Sequence, residues 1–340
     1  MSANWMRYFD LVIDGNNGKS LRLNDFKVTF QITSDVTKNG SEAKITVYNL
    51  KQSTCNAIMK GEYTRLKIVA GYSGIAPDVD SSQVGKVYNV PAWQAGQARG
   101  MNYGEIFSGE IRYAFSGKTN QDTTLVIQAL DGHQAMLETT LNTTLAAGHS
   151  AESLLALTLR NFNPFGITAG VTGAMPPTRF PRGKVLYQAA HQVMDNIAAQ
   201  CRASWQFVDG KLQMVPEDNY LQQQVVLNSQ SGLIGAPKLL MTGVELKCLI
   251  NPNIRLHGTV QVDQAMLMQA WRSTEEAVKP AKAADGTVNK TDQKLADITA
   301  DGTYIVNGIS CNGDTRDTAW YMTLTCIPRD KQTPLPSGAS

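Results

Sequence analysis

Apolar and polar residues alternate with a period of two over much of the first third of the chain. In "FKVTFQIT", Phe26, Val28, Phe30 and Ile32 share one face, with Lys27, Thr29, Gln31 and Thr33 on the other. That is the pattern of a half-buried strand. "AKITVYNL" (43–50), "LKIVAGY" (66–72), "GEIFSGEIRYAFSG" (104–117) and "DTTLVIQALDG" (122–132) continue it. Short strands at this spacing predict an antiparallel barrel or sandwich. The polar, Gly-rich run between Ser73 and Gly104 breaks the pattern and is expected to be a long loop.

The period then lengthens. "SAESLLALTLRNF" places Ala151, Leu154, Leu155, Leu159 and Phe162 on one helical face, with Ser150 as the expected N-cap. "NPFGITAGVTGAMPPTRFPRG" is too rich in Pro and Gly for a helix and reads as irregular. A second helix is predicted over "KVLYQAAHQVMDNIAAQCRA", with Leu186, Ala190, Val193, Met194, Ile197 and Cys201 at helical spacing. In "WQFVDGKLQMVPE", Asp209-Gly210 between two alternating runs predicts a two-residue hairpin.

From Tyr220 the period of two returns. Gly235 and Pro237 mark a connector; then Leu246, Cys248 and Ile250 line one face of a strand that Asn251-Pro252 stops. Near the end, Trp320, Met322, Leu324 and Cys326 alternate with Tyr321, Thr323 and Thr325. "STEEAVKPAKAADGTVNKTDQKLADI" (273–298) has no durable apolar period and is expected to be a mobile insertion. "SGKTNQDTTLVIQALDG" and "NGDTRDTAWYMTLTCIP" echo one another, each a polar turn before an alternating strand. If the echo is an internal repeat, the chain holds two related barrels separated by a small α+β unit.

Composition narrows the function classes. The chain has 340 residues, 18% of them charged, and a formal net charge of +2. That is too little for an argument toward nucleic acid or an anionic membrane. The five cysteines form no CxxC pair, so neither a disulfide framework nor a zinc site is expected. Neither a secretory signal nor a transmembrane helix is expected, since no long apolar run occurs.

Candidate chemistry is sparse. "GHSAE" (148–152) resembles a truncated nucleophile elbow, but Glu152 stands where a small residue is needed, and Ser150 reads as a helix cap. His191 and Asp195 stand four apart on the predicted second helix, half of a base–orienter pair with no nucleophile in view. Asp131 and His133 flank Gly132 at a strand end, where a turn role is expected. His133, His149, His191 and His257 show no metal-binding spacing. Arg179, Arg182 and Gly183 in "RFPRGK" make a basic turn that leads into the second helix or serves an interface. No catalytic, cofactor-binding or metal-binding residue is assigned, and no enzyme activity is expected.

Four places together resemble the baseplate or tail hub proteins of tailed bacteriophages. They are "GSEAKITVYNL" with "LKIVAGY" and "IFSGEI", then "FPRGKVLYQAAHQVMDNIAAQCRASWQFVDGKLQMVP", then "SGLIGAPKLLMTGVELKCLINPNIRLHG", and last "DGTYIVNGISCNGDTRDTAWYMTLTC". They span most of the chain; the runs 73–104 and 273–298 depart from the family pattern. The resemblance implies a mainly β protein with two tail-tube-like antiparallel β-barrel domains, at 1–136 and 220–328. A helix-containing α+β domain lies between them at 137–219, and a flexible tail follows at 329–340. It implies a homotrimeric structural virion protein that adapts a hexameric tail tube to a trimeric spike or tip and encloses the tail channel. The implied partners are tail tube or distal tail proteins, the central spike or tip, other baseplate proteins and a tape measure protein. Sequence-specific nucleic acid and stable membrane insertion are not among them. The implied location is the virion tail baseplate or tip, after assembly in the host cytoplasm. Two rivals stay open: a tail-associated peptidoglycan-degrading enzyme, and a glycan- or receptor-binding tail-tip module, for which Trp93 is the candidate contact.

Overall fold

A computed structural model describes residues 6–15, 18–36, 40–73, 102–119, 122–228, 231–240, 243–262, 302–329 and 333–335. The first part contains strands β1 (Arg7–Gly15), β2 (Ser20–Arg22), β3 (Val28–Asp35), β4 (Glu42–Tyr48), β5 (Tyr63–Tyr72), β6 (Asn102–Thr119) and β7 (Asp122–Leu130), and helix α1 (Gln52–Met59). The alternation is realised as predicted: Val28, Phe30 and Ile32 are buried while Gln31 is exposed. Helix α1 was not legible in the sequence; only Cys55 and Ile58 of its eight residues are buried. The expected loop over 73–104 and insertion over 273–298 lie outside the described residues, except that residue 73 is described and β6 already begins at Asn102.

The middle part contains α2 (His133–Glu138), β8 (Thr140–Leu145), α3 (Ala151–Phe162), β9 (Thr168–Thr172), β10 (Lys184–Ala189), α4 (Ala190–Cys201), β11 (Ala203–Val208) and β12 (Lys211–Pro216). Two sequence expectations are corrected here. The second helix begins at Ala190 rather than Lys184, because Val185 and Tyr187 point out while Leu186 points in, a period of two that pairs with β8. The irregular run after α3 contains β9, which lies parallel to β12. The Asp209-Gly210 hairpin is as predicted, both residues having positive φ (52° and 72°) and joining Val208 to its partner Lys211.

The last part contains β13 (Asn219–Tyr220), β14 (Gln224–Leu227), β15 (Lys238–Leu239), β16 (Val244–Leu249), β17 (Thr259–Val262), β18 (Thr303–Asp314), β19 (Trp320–Pro328) and β20 (Thr333–Pro334). The tail over 329–340 reads as flexible in the sequence, yet β20 lies parallel to β13 and Leu335 is buried.

The mainly β character is as expected, but among the described residues no sheet closes into a barrel. Thirteen strands form one sheet with the path β15-β16-β19-β18-β3-β4-β7-β6-β5-β1-β2, and β14 and β17 branch from β18. The first and last β parts are therefore joined through β3 and β18, which pair from Gly308 with Asp35 to Asp314 with Thr29. Within this sheet one arrangement occurs twice. Strands β3-β4-β7-β6-β5-β1 neighbour one another in the same order as β15-β16-β19-β18-β17-β14, and corresponding strands follow the same chain order. One difference is that β1 runs antiparallel to β5 whereas β14 runs parallel to β17. The two echoing segments contain the closing strands, β7 and β19, of corresponding strand pairs.

The buried apolar residues form two clusters. One runs through the large sheet, from Leu11 to Cys326. The other fills the middle part, from Ala135 to Met214, with Phe162, Trp205 and Phe207 in edge-to-face contact. Gly132 lies where the two meet. Its φ is 65°, and a Cβ there would come within 2.3 Å of the Phe207 ring. Gly132→Ala is expected to lower stability by roughly 2 kcal/mol, from backbone strain plus a displaced ring. A denaturant titration would measure this, and an unchanged midpoint would refute it.

Candidate functional site

A group of buried polar and charged side chains, Glu110, Asp131 and His257 among them, lies between the two cores and forms a joint. Asp131 is 4% exposed at the end of β7. Its carboxyl faces the backbone N–H groups of Asp209 and Gly210, the hairpin turn of β11–β12, which favour its charged form. Burial pushes its pKa up to about 7, with Asp209 adding to the rise and the two N–H groups opposing it. Glu110, on β6, accepts from Arg65 on β5 at 3.2 Å and from the Gln134 N–H in α2 at 2.7 Å. Arg65 also donates to the Phe165 carbonyl at 3.0 Å. Asp209 pairs with Arg255 at 2.6 Å. The Glu105 carboxyl is raised as well, first by burial and then by Asp209. These contacts tie the two cores to one another across the joint.

A second contact crosses the same joint. His257, with φ of 60°, sits in the loop before β17, and its Nε2 lies 3.2 Å from the Ser204 hydroxyl on β11. Burial lowers the His257 pKa to about 4, so the ring is neutral near pH 7. A serine beside a neutral imidazole is the start of a nucleophile–base pair. Ser204 Oγ also lies 3.4 Å from the Val215 carbonyl. The sequence reading did not single out Ser204 or this use of His257, because their pairing exists only after β11 meets a loop 53 positions away.

The other sequence candidates stay apart. Ser150 caps α3 in a reciprocal box with Ser153, not Glu152. His191 Nδ1 lies 3.1 Å from the Met136 carbonyl, and Asp195 accepts from the Trp205 indole at 2.8 Å, so each serves local packing. His133 opens α2 after Gly132, the turn role expected for it. Arg179, Arg182 and Gly183 lie in an exposed turn before β10. Cys248, Cys311 and Cys326 are buried thiols whose pKa burial pushes upward. Trp93 lies outside the described residues. Among the described residues, no cluster of three or more His, Cys, Asp or Glu side chains could hold a metal ion, and no helix is long and apolar enough to cross a membrane.

Two surface features remain. β5 pairs with β6 only as far as Glu110, and among the described strands none covers that side of β6 beyond it. Tyr113 and Phe115 stand on this stretch, 48% and 53% exposed, with ring centroids 6.3 Å apart. In the matching half, β18 likewise outruns β17, and β3 fills the place beside it. The non-core face of the joined sheet mixes uncharged polar side chains, Thr29, Gln31, Thr46, Ser310, Asn312 and Thr323, with the charged Glu42, Lys44, Glu245 and Lys247.

Comparisons with solved structures place this fold. The 43 kDa tail protein of prophage MuSo2 from Shewanella oneidensis aligns with a TM-score of 0.50 at 9% identity, over 96% of this chain and 100% of that one. A chain of the half-lidded Francisella PdpA–VgrG complex aligns with a TM-score of 0.53 at 8% identity, over 100% of this chain and 61% of that one. A tail protein from Neisseria meningitidis MC58 aligns over 96% and 99% of the two chains at 11% identity, with a TM-score of 0.45. No family model matches the chain, and a search of curated proteins finds no significant match. The chain thus has a fold found in a phage tail protein and in a VgrG complex.

Proposed function

We propose that this chain is a structural, non-catalytic hub of a phage tail, acting as a homotrimer between a hexameric tube and a trimeric spike or tip. The observation that carries this reading is the repeated strand order. Each chain presents two similar strand sets, so three chains present six. Inside the chain, β3 of one set fills the edge that β18 leaves open in the other. The corresponding edge on β6 and the outer edge of β15, the counterpart of β3, have no strand beside them among the described residues. Pairing β6 of one copy with β15 of the next repeats the internal joint and closes a ring that covers both of these edges. Tyr113 and Phe115 would be covered there.

In such a ring the polar sheet face lines the channel. Lys and Arg side chains hold phosphates, but on this face Lys44 and Lys247 are balanced by Glu42 and Glu245 among uncharged Thr, Gln, Ser and Asn side chains, so little net charge is left to retain DNA. The domain limits 1–136, 137–219 and 220–328 are kept as part of the proposal. The location in the tail baseplate or tip, and the tube, spike, baseplate and tape measure partners, follow from the same reading.

Two measurements test it. Mass in solution and in assembled particles is expected to give a trimer; a stable dimer in both would overturn the reading. Phe115→Cys combined with Lys238→Cys places thiols on the same face of the two edges. Mild oxidation is expected to yield covalent species ending at three chains, and neither single variant should do so. Species continuing beyond three would replace the closed ring with an open chain.

A further inference from the structure

The middle part carries a surface that the hub reading does not use. Tyr187 and Val185, on the outward face of β10, are 83% and 75% exposed, the most exposed large apolar side chains among the described residues. On β8 they are matched only by Asn142 and Thr144. Where β10 begins, a cavity of about 290 Å³ opens to solvent, lined by residues that include Leu154, Phe180, Pro181, Arg182 and Lys184.

The rim is built rather than loose. The Gly148 N–H donates to the Phe180 carbonyl at 2.7 Å, and the Phe180 N–H donates to the His149 carbonyl at 2.9 Å. The His149 and Phe180 rings stack with centroids 4.9 Å apart. Ser150 and Arg179 form a β-bridge beside them, tying the turn to the start of α3. Gly183 is needed for the close pass, since a Cβ there would come within 2.9 Å of the Leu145 carbonyl. The segments that make the rim, 147–154 and 179–187, hold Arg179, Arg182 and Lys184 against one carboxylate, Glu152. None of the three cations is in an ion pair among the described residues.

An apolar cavity edged by unpaired cations, continuous with an exposed apolar strand face, matches one kind of ligand. We propose that this surface docks an acidic segment of a partner protein that carries an aliphatic or aromatic side chain. That side chain fills the cavity against Phe180 and Leu154. Carboxylates beside it meet Arg179, Arg182 and Lys184, where charge-assisted hydrogen bonds are strongest. The rest of the segment lies along Val185 and Tyr187, removing apolar surface from water. The proposal does not depend on the ring and can fail or hold without it.

Fluorescence anisotropy of the full chain with the labelled hexapeptide EDLDFE tests this. Binding is expected with a Kd of about 1 mM or tighter. EDGDGE, which keeps the charge and lacks the apolar groups, and KKLKFK, which reverses the charge, are each expected to bind at least about tenfold more weakly. R182E combined with K184E is expected to weaken EDLDFE by at least about tenfold. V185S with Y187S, on exposed positions that leave the core intact, should weaken it by a smaller factor. Thermal midpoints of both double variants are compared with the parent, so that a folding defect in one leaves the other as the test. Absence of EDLDFE binding, or equal binding of EDGDGE or of a short oligothymidylate, would overturn the proposal; the latter would mean a general polyanion surface. Indifference to both double variants would also overturn it.

Discussion

Leu246→Asp is expected to leave no folded protein. Leu246 is 0% exposed on β16 and pairs with Leu324 on β19, itself paired with Ile309 on β18. Truncation to alanine there would remove about 2–5 kcal/mol. A carboxylate adds the cost of an unpaired charge in an apolar core, several kcal/mol more. The sum is comparable to the whole stability of an ordinary domain, about 5–15 kcal/mol. Soluble yield and far-UV circular dichroism measure it, and a soluble variant that still assembles would contradict the placement of β16 in the joint core.

The second large effect is a dependence on pH hidden by two opposing groups. Asp131 has a folded-state pKa raised to about 7 from an ordinary value of 3.8. The folded state holds that proton more tightly, so the stabilisation is present at low pH and is lost as pH rises from about 4 to about 7. His257 is lowered to about 4 from 6.5. Its stabilisation is present above about 6.5 and is lost as pH falls toward 4. At about 1.4 kcal/mol per tenfold change in the proton equilibrium, these amount to about 4 and about 3 kcal/mol. They act in the same window with opposite sign, so together they nearly cancel. Asp131→Asn removes one of them. Relative to the parent, it is expected to gain about 4 kcal/mol between pH 4 and pH 8, leaving the acid sensitivity of His257 visible. His257→Asn should expose the reverse slope. Denaturant titrations at a series of pH values measure both, and parallel profiles for parent and variants would refute the assignment.

Local features of the fold were legible in the sequence where one short stretch contains all the information. The alternation in 26–33 and 320–326, the Asp209-Gly210 turn and the Ser150 cap each depend on neighbours in the chain. The second helix was misjudged at its start because Leu186 fits both periods, and only Val185 and Tyr187 on the opposite face separate them. The joining of β3 to β18 was not legible. Its register is set by two apolar faces meeting across the fold, and nothing within either strand names the other. The same holds for the joint: Asp131, Asp209 and Arg255 are ordinary turn and loop residues until three segments converge. The basic turn at Arg179 and Arg182 was visible, but its cavity requires Phe180 to fold back on His149.

The β3–β18 seam also has a consequence in time. A hydrogen bond from Thr315 to Phe26 spans 289 positions. At roughly 5–20 residues per second, a ribosome needs on the order of tens of seconds to make the intervening chain. Throughout that interval β3 has no partner on its β18 side, and the first strand set can organise only from β3 toward β1. Non-local pairing of this kind is slow to form. Completion of the sheet is therefore a late event of synthesis, and a nascent chain does not yet have both strand sets in place. The seam thus acts as a clock as well as a joint, delaying the complete sheet until its far end has emerged.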